Sequence, residues 1–159
     1  MIVPVGIALG SNLGDRTAEL NNAIGFLKSL SASFKAREAP RLETAPVDCT
    51  PGSQKFLNTV AEIFVDSIML PPLLLFGCLE EYEIERGRSP IRETNSPRPI
   101  DLDIIYYGAE RFEDMGLIIP HPRAHQRGFV LEPLSHLRPE LVLPGQTKTV
   151  KQLLSELQA

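Results

Sequence analysis

Residues 56–66 set the strictest condition on this chain, because Phe56, Asn58, Val60, Glu62, Phe64 and Asp66 alternate there with Leu57, Thr59, Ala61, Ile63 and Val65. Successive side chains on a β-strand point to opposite faces, so a period of two held over this length reads as a strand at the centre of a sheet. Turn-forming residues bound it, with Pro51, Gly52 and Ser53 before it and Pro71-Pro72 after it. The rest of the fold must be arranged around that strand.

Residues 2–9 are apolar and rich in β-branched side chains, and they run into Gly10-Ser11-Asn12-Leu13-Gly14-Asp15, a cluster of turn and cap residues. This reads as a strand feeding a helix. From Thr17 onward Leu20, Ala23, Ile24, Leu27 and Leu30 recur every three or four residues, with Asp15 or Thr17 as N-cap and an end near Ser31. Residues 33–44 read as extended and 45–53 as a loop. Pro71-Pro72 opens a second helix that continues to Gly87, and 88–99, holding Pro90, Pro97 and Pro99, reads as a long loop. Residues 100–107 read as a strand that ends at Gly108 and continues through a hairpin into 115–119. A short helical stretch is expected after Arg123, with further short helices over 131–137 and 150–157. The order β-α-β-β-α-β predicts an α+β sandwich with helices on one face of a mainly antiparallel sheet, followed by a short C-terminal extension. A doubly wound parallel sheet is the alternative, but it wants a helix between the second and third strands, where a Pro- and Gly-rich loop leaves little room.

Composition bounds the function. A chain of 159 residues, 43% hydrophobic and 23% charged, is expected to form one domain spanning 1–159 and to be soluble. The longest apolar run, 68–79, is too short to span a bilayer and is broken by Pro71, Pro72 and Gly77, so no membrane partner is expected. The first residues lack a basic n-region, which leaves the cytoplasm as the expected compartment. Cys49 and Cys78 cannot form a disulfide scaffold and lack metal or redox spacing. A net charge of −4 argues against a nucleic-acid partner. Yet of the 16 cations only Lys28, Lys35, Lys55, Lys148 and Lys151 are lysines; the rest are arginines, the residue suited to bidentate phosphate or carboxylate recognition.

The sharpest chemical feature is Arg98-Pro99-Ile100-Asp101-Leu102-Asp103-Ile104-Ile105. On a strand Asp101 and Asp103 share one face while Leu102 and Ile104 face the core. Two carboxylates so close repel unless a cation sits between them, and Mg²⁺ takes one or two protein carboxylates and completes its shell with water and substrate phosphates. An acid-bearing exposed strand is the plainer alternative. Arg86, Arg88, Arg92 and Arg98 precede or abut the pair, and Arg123 and Arg127 follow it, so a metal-bound polyphosphate accounts for acids and arginines together. Known phosphate loops are absent, leaving Arg, His and metal to bind phosphate. His121 and His125 have helical spacing for zinc but no third ligand nearby. Phe56 and Asn58, two apart on a strand, can stack on and hydrogen-bond a flat heterocycle, with Phe129 as a second wall; core packing is the alternative for Phe56.

The segments Gly10-Ser11-Asn12-Leu13-Gly14-Asp15-Arg16, Glu43-Thr44-Ala45-Pro46-Val47, Phe56-Leu57-Asn58, Glu83 with Gly87-Arg88, Pro97-Arg98 with Ile100-Asp101-Leu102-Asp103-Ile104, Pro120-His121-Pro122 and Arg127-Gly128-Phe129 resemble, in order and spacing over nearly the whole chain, the 6-hydroxymethyl-7,8-dihydropterin pyrophosphokinases of folate biosynthesis. The resemblance implies a ferredoxin-like fold and transfer of pyrophosphate from ATP to a pterin hydroxymethyl, giving AMP. It implies two Mg²⁺ ions on Asp101 and Asp103, and phosphate contacts and catalysis from Arg88 and Arg98. It places Glu83, Ile104, His121 and Arg127 with them on the ATP side. It also implies a pterin held between Phe56 and Phe129, with its edge read by Thr44, Ala45, Val47 and Asn58. A monomer acting on small molecules is expected. If a general base acts, Asp103 is its candidate by proximity. The chain departs from the family pattern at Pro90, where a second Arg is usual, at Asn95 in a stretch that usually holds a Trp, and at Gly116, where some members carry a basic residue. These departures keep two other readings open: a Mg-dependent phospho- or nucleotidyltransferase with another acceptor, and a noncatalytic ligand-binding module.

Overall fold

In the computed structural model, residues 1–45, 54–87 and 98–159 are described. β1 (Ile2–Ser11) is followed by α1 (Arg16–Leu30), two short strands β2 (Ala36–Glu38) and β3 (Leu42–Thr44), the long β4 (Phe56–Asp66), and α2 (Pro72–Glu85). Then come β5 (Asp101–Tyr107), the hairpin β6 (Phe112–Asp114) and β7 (Leu117–Ile119), and the helices α3 (Gly128–Leu137) and α4 (Val150–Gln158). In the main sheet β2 and β3 both pair with β4, β4 with β1 and β1 with β5, every pairing antiparallel. The parallel alternative is excluded for this sheet, and the split β-α-β pattern expected of a ferredoxin-like core is met.

Local chemistry explains the elements. Asp15 caps α1, its carboxylate accepting the Ala18 N–H at 3.0 Å. Pro72 opens α2, where a missing N–H costs nothing. The segment read as extended over 33–44 is divided: a short 3₁₀ turn occupies Ala32–Phe34, and β2 and β3 are separate strands interrupted around Pro40, which has no N–H to give a ladder. α3 starts at Gly128, earlier than the expected 131, and carries Pro133 within it. The hairpin after Gly108 forms between Phe112 and Ile119.

Helices cover both faces of the sheet, which corrects the expectation of one. On one face Val5, Ile7, Leu9, Ala61, Ile63, Val65, Leu102 and Ile104 pack with Leu20, Leu27, Leu75 and Leu79 of α1 and α2. On the other, Val60, Ile105 and Tyr106 pack with Val130, Leu131 and Leu134 of α3 and Val150 and Leu153 of α4. The C-terminal extension is thus a second helical layer. Its helices are short, and the polar residues of β4 on that face hid from sequence patterning that the face is covered. A bulge in β5 admits this layer: Ile7 pairs with Ile104 but Gly6 with Tyr106, so Ile105 is the extra residue and both Ile105 and Tyr106 enter the second core. Among the described residues no helix is long and apolar enough to cross a membrane.

Candidate active site

Sheet register assembles the site. Gly10 of β1 pairs with Asn58 of β4 on one side and Asp101 of β5 on the other, and Ala8 likewise with Val60 and Asp103. Residues paired across strands share a face, so Asn58 and the two acids flank a central strand that contributes only a hydrogen and a methyl. A Cβ at Gly10 would stand 2.9 Å from Asn58 Oδ1 and 3.5 Å from the Phe56 ring. The missing side chain therefore leaves a shallow floor bordered by Phe56 and Asn58 on one flank and by carboxylates on the other.

On the carboxylate flank, Arg98 Nε lies 3.5 Å from Asp101 Oδ2, and the same guanidinium stands over the Phe56 ring, 5.6 Å from its centroid. Main-chain contacts with Asn12 hold Arg98: its N–H donates to Asn12 Oδ1 at 2.9 Å, and the Asn12 N–H donates to its carbonyl at 3.3 Å. Glu83 approaches β5 from α2, almost fully buried, and its Oε2 accepts the N–H of Leu102, the residue between the two acids, at 3.0 Å. Ile104 sends its side chain into the α1–α2 core, on the face opposite the acids.

His121 docks on β5 by donating its N–H to the Ile105 carbonyl at 2.9 Å. Its Nδ1 accepts the Arg123 N–H at 3.2 Å, which puts the hydrogen of the neutral ring on Nε2 and makes that atom a donor. Burial pushes the imidazole down to about 4, and the charges of Arg127 and Arg123 act the same way, against Asp101. Arg127, at the N-cap of α3, is also lowered by burial and by Arg123, while Asp103 and Asp101 oppose. Its guanidinium lies 5.3 Å from the Phe129 centroid.

The opposite flank is tied to β3. Thr44 pairs with Phe56, and Asn58 Nδ2 donates to Thr44 Oγ1 at 2.7 Å. Ala45 follows at the end of this strand. The structure thus brings together Thr44, Phe56, Asn58, Arg98, Asp101 and Asp103, with His121 and Arg127 close enough to feel the acids. Phe129 meets Arg127, and among the described residues no ring pairing joins it to Phe56. Val47 and Arg88 lie outside the described residues, as do Arg92, Pro90 and Asn95. One arginine grouped with the site belongs elsewhere: Arg86 makes two hydrogen bonds to Glu19 of α1, at 2.7 and 3.2 Å, so it ties α2 to α1.

Sequence reading passed over the bracing by Asn12 and the small floor of Ala8 and Gly10. A glycine inside an apolar strand was the available sign of the latter. Buried nearby, Ser11 Oγ and Asn12 Nδ2 have no hydrogen-bond partner among the described residues. Among the described residues no three His, Cys, Asp or Glu side chains gather as a metal cage. A pair of carboxylates beside an open floor suits Mg²⁺, which leaves its other positions to water and phosphate oxygens, and does not suit structural zinc.

Fold and site together define an α+β protein whose acidic pair lies on a β-strand beside basic side chains and a small floor. Residues 6–139 match the model of the 7,8-dihydro-6-hydroxymethylpterin-pyrophosphokinase family, and the chain belongs to that family. It is 39% identical over 132 residues to a 2-amino-4-hydroxy-6-hydroxymethyldihydropteridine pyrophosphokinase of Bacillus subtilis, covering 82% of this chain and 75% of that one. A protein of the same description from Methylorubrum extorquens is 34% identical over 152 residues, 95% of this chain and 91% of its own. In Arabidopsis thaliana a folate synthesis bifunctional protein is 38% identical over 133 residues, 84% of this chain but 26% of that longer one.

Proposed function

We propose that this protein transfers the pyrophosphoryl group of ATP to the hydroxymethyl oxygen of 6-hydroxymethyl-7,8-dihydropterin, releasing AMP, as a step of folate biosynthesis. The observation that carries the reading is the shared floor: Asn58 and Asp101 flank Gly10 in one row of the sheet, about 9–10 Å apart at two strand spacings. A flat heterocycle on the Phe56–Asn58 flank therefore has its substituent directed along the floor toward phosphates on the Asp101–Asp103 flank.

In the transfer, the hydroxymethyl oxygen forms a bond to the β-phosphorus as the bond from that phosphorus to the bridging oxygen of AMP breaks, and the hydroxyl proton is lost. Such a step needs alignment and charge neutralisation more than covalent help. Asp101 and Asp103 would hold Mg²⁺, two ions on the family pattern, which when bound neutralise and orient the triphosphate. Arg98 and Arg127 supply positive charge to phosphate oxygens, and neutral His121 supplies a hydrogen bond from Nε2. Arg88 joins them on the resemblance, as Val47 joins Thr44, Ala45 and Asn58 in reading the pterin edge. Phe56 and Phe129 offer ring faces to the pterin. Glu83 and Ile104 serve the nucleotide side, Glu83 through the Leu102 main chain and Ile104 through its own. Asp103 is the candidate to take the proton. The protein works on this reading as a one-domain monomer in the cytoplasm.

Incubation with ATP, Mg²⁺ and the hydroxymethyl-dihydropterin should yield AMP and the pterin diphosphate in equal amounts. ADP or AMP formed only with other acceptors would overturn the reading in favour of another phosphotransferase, and ATP binding without product in favour of a binding module.

A further inference from the structure

The turn from β1 into α1, residues 12–16, holds no residue assigned a role in the transfer, yet it touches both flanks of the floor. Its first arm is Asn12, which exchanges two hydrogen bonds with the main chain of Arg98, at 2.9 and 3.3 Å. Its second arm is Arg16. One terminal nitrogen, Nη1, donates to the Lys55 carbonyl at 2.8 Å, and the other, Nη2, lies 2.7 Å from Glu43 Oε1. Glu43 belongs to β3 and Lys55 immediately precedes β4, so a single guanidinium ties the two stems that present Thr44 and Phe56. The turn's own geometry aims this arm: Gly14, at φ +70°, lets the chain reverse so that Asp15 caps the helix and Arg16 becomes its first residue.

We infer that Asn12 and Arg16 are positioning residues that set the two flanks of the site separately, Asn12 the phosphate flank through Arg98 and Arg16 the acceptor flank through β3 and β4. The inference rests on the proposed pterin pyrophosphokinase activity for its kinetic form only. The planar fork of Arg16 meets two acceptors at once, one on β3 and one on the residue that leads into β4, and so secures the end of the ladder where Thr44 pairs with Phe56 in a way that a lysine, a single point charge on a flexible stem, cannot reproduce. Asn12 grips Arg98 where the chain enters β5, three residues before Asp101, so displacement there moves the guanidinium that lies beside the acid.

The test is a crossed kinetic comparison. Arg16→Gln is expected to raise KM for the pterin about tenfold and leave KM for ATP and kcat within about twofold, with Arg16→Lys between it and the unaltered protein. Asn12→Ala is expected to do the reverse, lowering kcat at least about tenfold or raising KM for ATP, with KM for the pterin within about twofold. A merely structural role would move the constants for both substrates together, and either that result or unchanged constants in Arg16→Gln overturns the inference. Asn12 is almost fully buried; should Asn12→Ala fail to fold, Asn12→Asp keeps the acceptor for the Arg98 N–H and Arg16→Gln still decides its own arm. Amide hydrogen exchange gives a readout without substrate: in Arg16→Gln the amides of residues 42–44 and 56–58 should exchange at least about tenfold faster while those of 101–103 are unchanged. If the unaltered protein made no AMP from the pterin, the proposed activity would fall while exchange still judged the brace, and unchanged exchange in Arg16→Gln would overturn it.

Discussion

Asp101 and Asp103 are placed by the smallest rule the chain contains, the two-residue period of a strand, and their value lies in what they leave open. Among the described residues no third His, Cys, Asp or Glu side chain completes a metal cage with them, so a cation held there keeps most of its shell for phosphate and water. Removing one should cost about 4 kcal/mol of transition-state stabilisation, or about a thousandfold in kcat. Asp101→Ala and Asp103→Ala are each expected to show that loss in the AMP-release assay with an unchanged thermal midpoint; activity retained in both would refute the metal assignment. His121 gives a second residue-level prediction. Its midpoint in the folded, ligand-free protein is pushed to about 4, against 6.5 for an ordinary histidine, by burial first and then by Arg127 and Arg123. Between those values the unfolded chain binds the proton and the folded one does not, so the contribution to stability is whole above pH 6.5 and is lost as pH falls toward about 4. An NMR titration of the His121 ring should find the low midpoint, and Arg127→Leu should move it upward. A midpoint near 6.5 in the unaltered protein would show that the ring is not held as described.

Among the elements, the bulge in β5 has the clearest physical signature. Gly6 faces Tyr106 at the bulge, and a Cβ there would fall 2.2 Å from a Tyr106 ring carbon, inside any tolerable contact. Gly6→Ala should therefore destabilise by about 1–3 kcal/mol through overpacking. At about 2–4 °C per kcal/mol for a chain of this size, thermal unfolding should show a midpoint lower by several degrees; an unchanged midpoint would mean that the ring moves aside freely. The bulge also shows where sequence reading stops. β4 was legible because its period is local, as was the start of α1, whose cap proved to be Asp15 of the two candidates Asp15 and Thr17, and the i, i+2 spacing of Asp101 and Asp103 exposed half the site. The break of residues 33–44 into two strands was not, because Pro40 is compatible with an extended run and only its missing N–H in the ladder reveals the interruption. Nor were the braces: Asn12 and Arg98 stand 86 positions apart and Arg16 and Lys55 stand 39 apart, so only sheet pairing brings them together.

At the scale of the whole molecule, the second helical layer covers the part of the sheet face next to the floor, the face that carries Asn58, Asp101 and Asp103. Its attachment is partly polar. Glu62 of β4, fully buried, accepts from the Tyr106 hydroxyl and meets Arg37 at 3.4 Å and Arg138 at 3.6 Å, while Arg37 also donates to the Leu137 carbonyl at the end of α3. Tyr106 is held protonated, its hydroxyl pushed far up by burial and by the Glu62 carboxylate. Glu62→Ala would strand that hydroxyl and should cost about 1–3 kcal/mol, seen as a lower denaturant midpoint; the half-exposed arginines add little of their own. The rest of the attachment is apolar, and it reaches beyond the family match, which ends at 139. Leu143, Val150 and Leu153 are buried against Leu131, Leu134 and Tyr106. Burial at about 1.5–3 kcal/mol each makes these three side chains worth about 5–9 kcal/mol, comparable to the whole stability of many domains, about 5–15 kcal/mol. A chain ending at 139 should therefore lose cooperative unfolding and bind a hydrophobic dye through the uncovered face, even though it keeps every residue assigned to the site. Were that shortened chain to unfold at the full-length midpoint, the second layer would be an ornament, and the floor would stand on α1 and α2 alone.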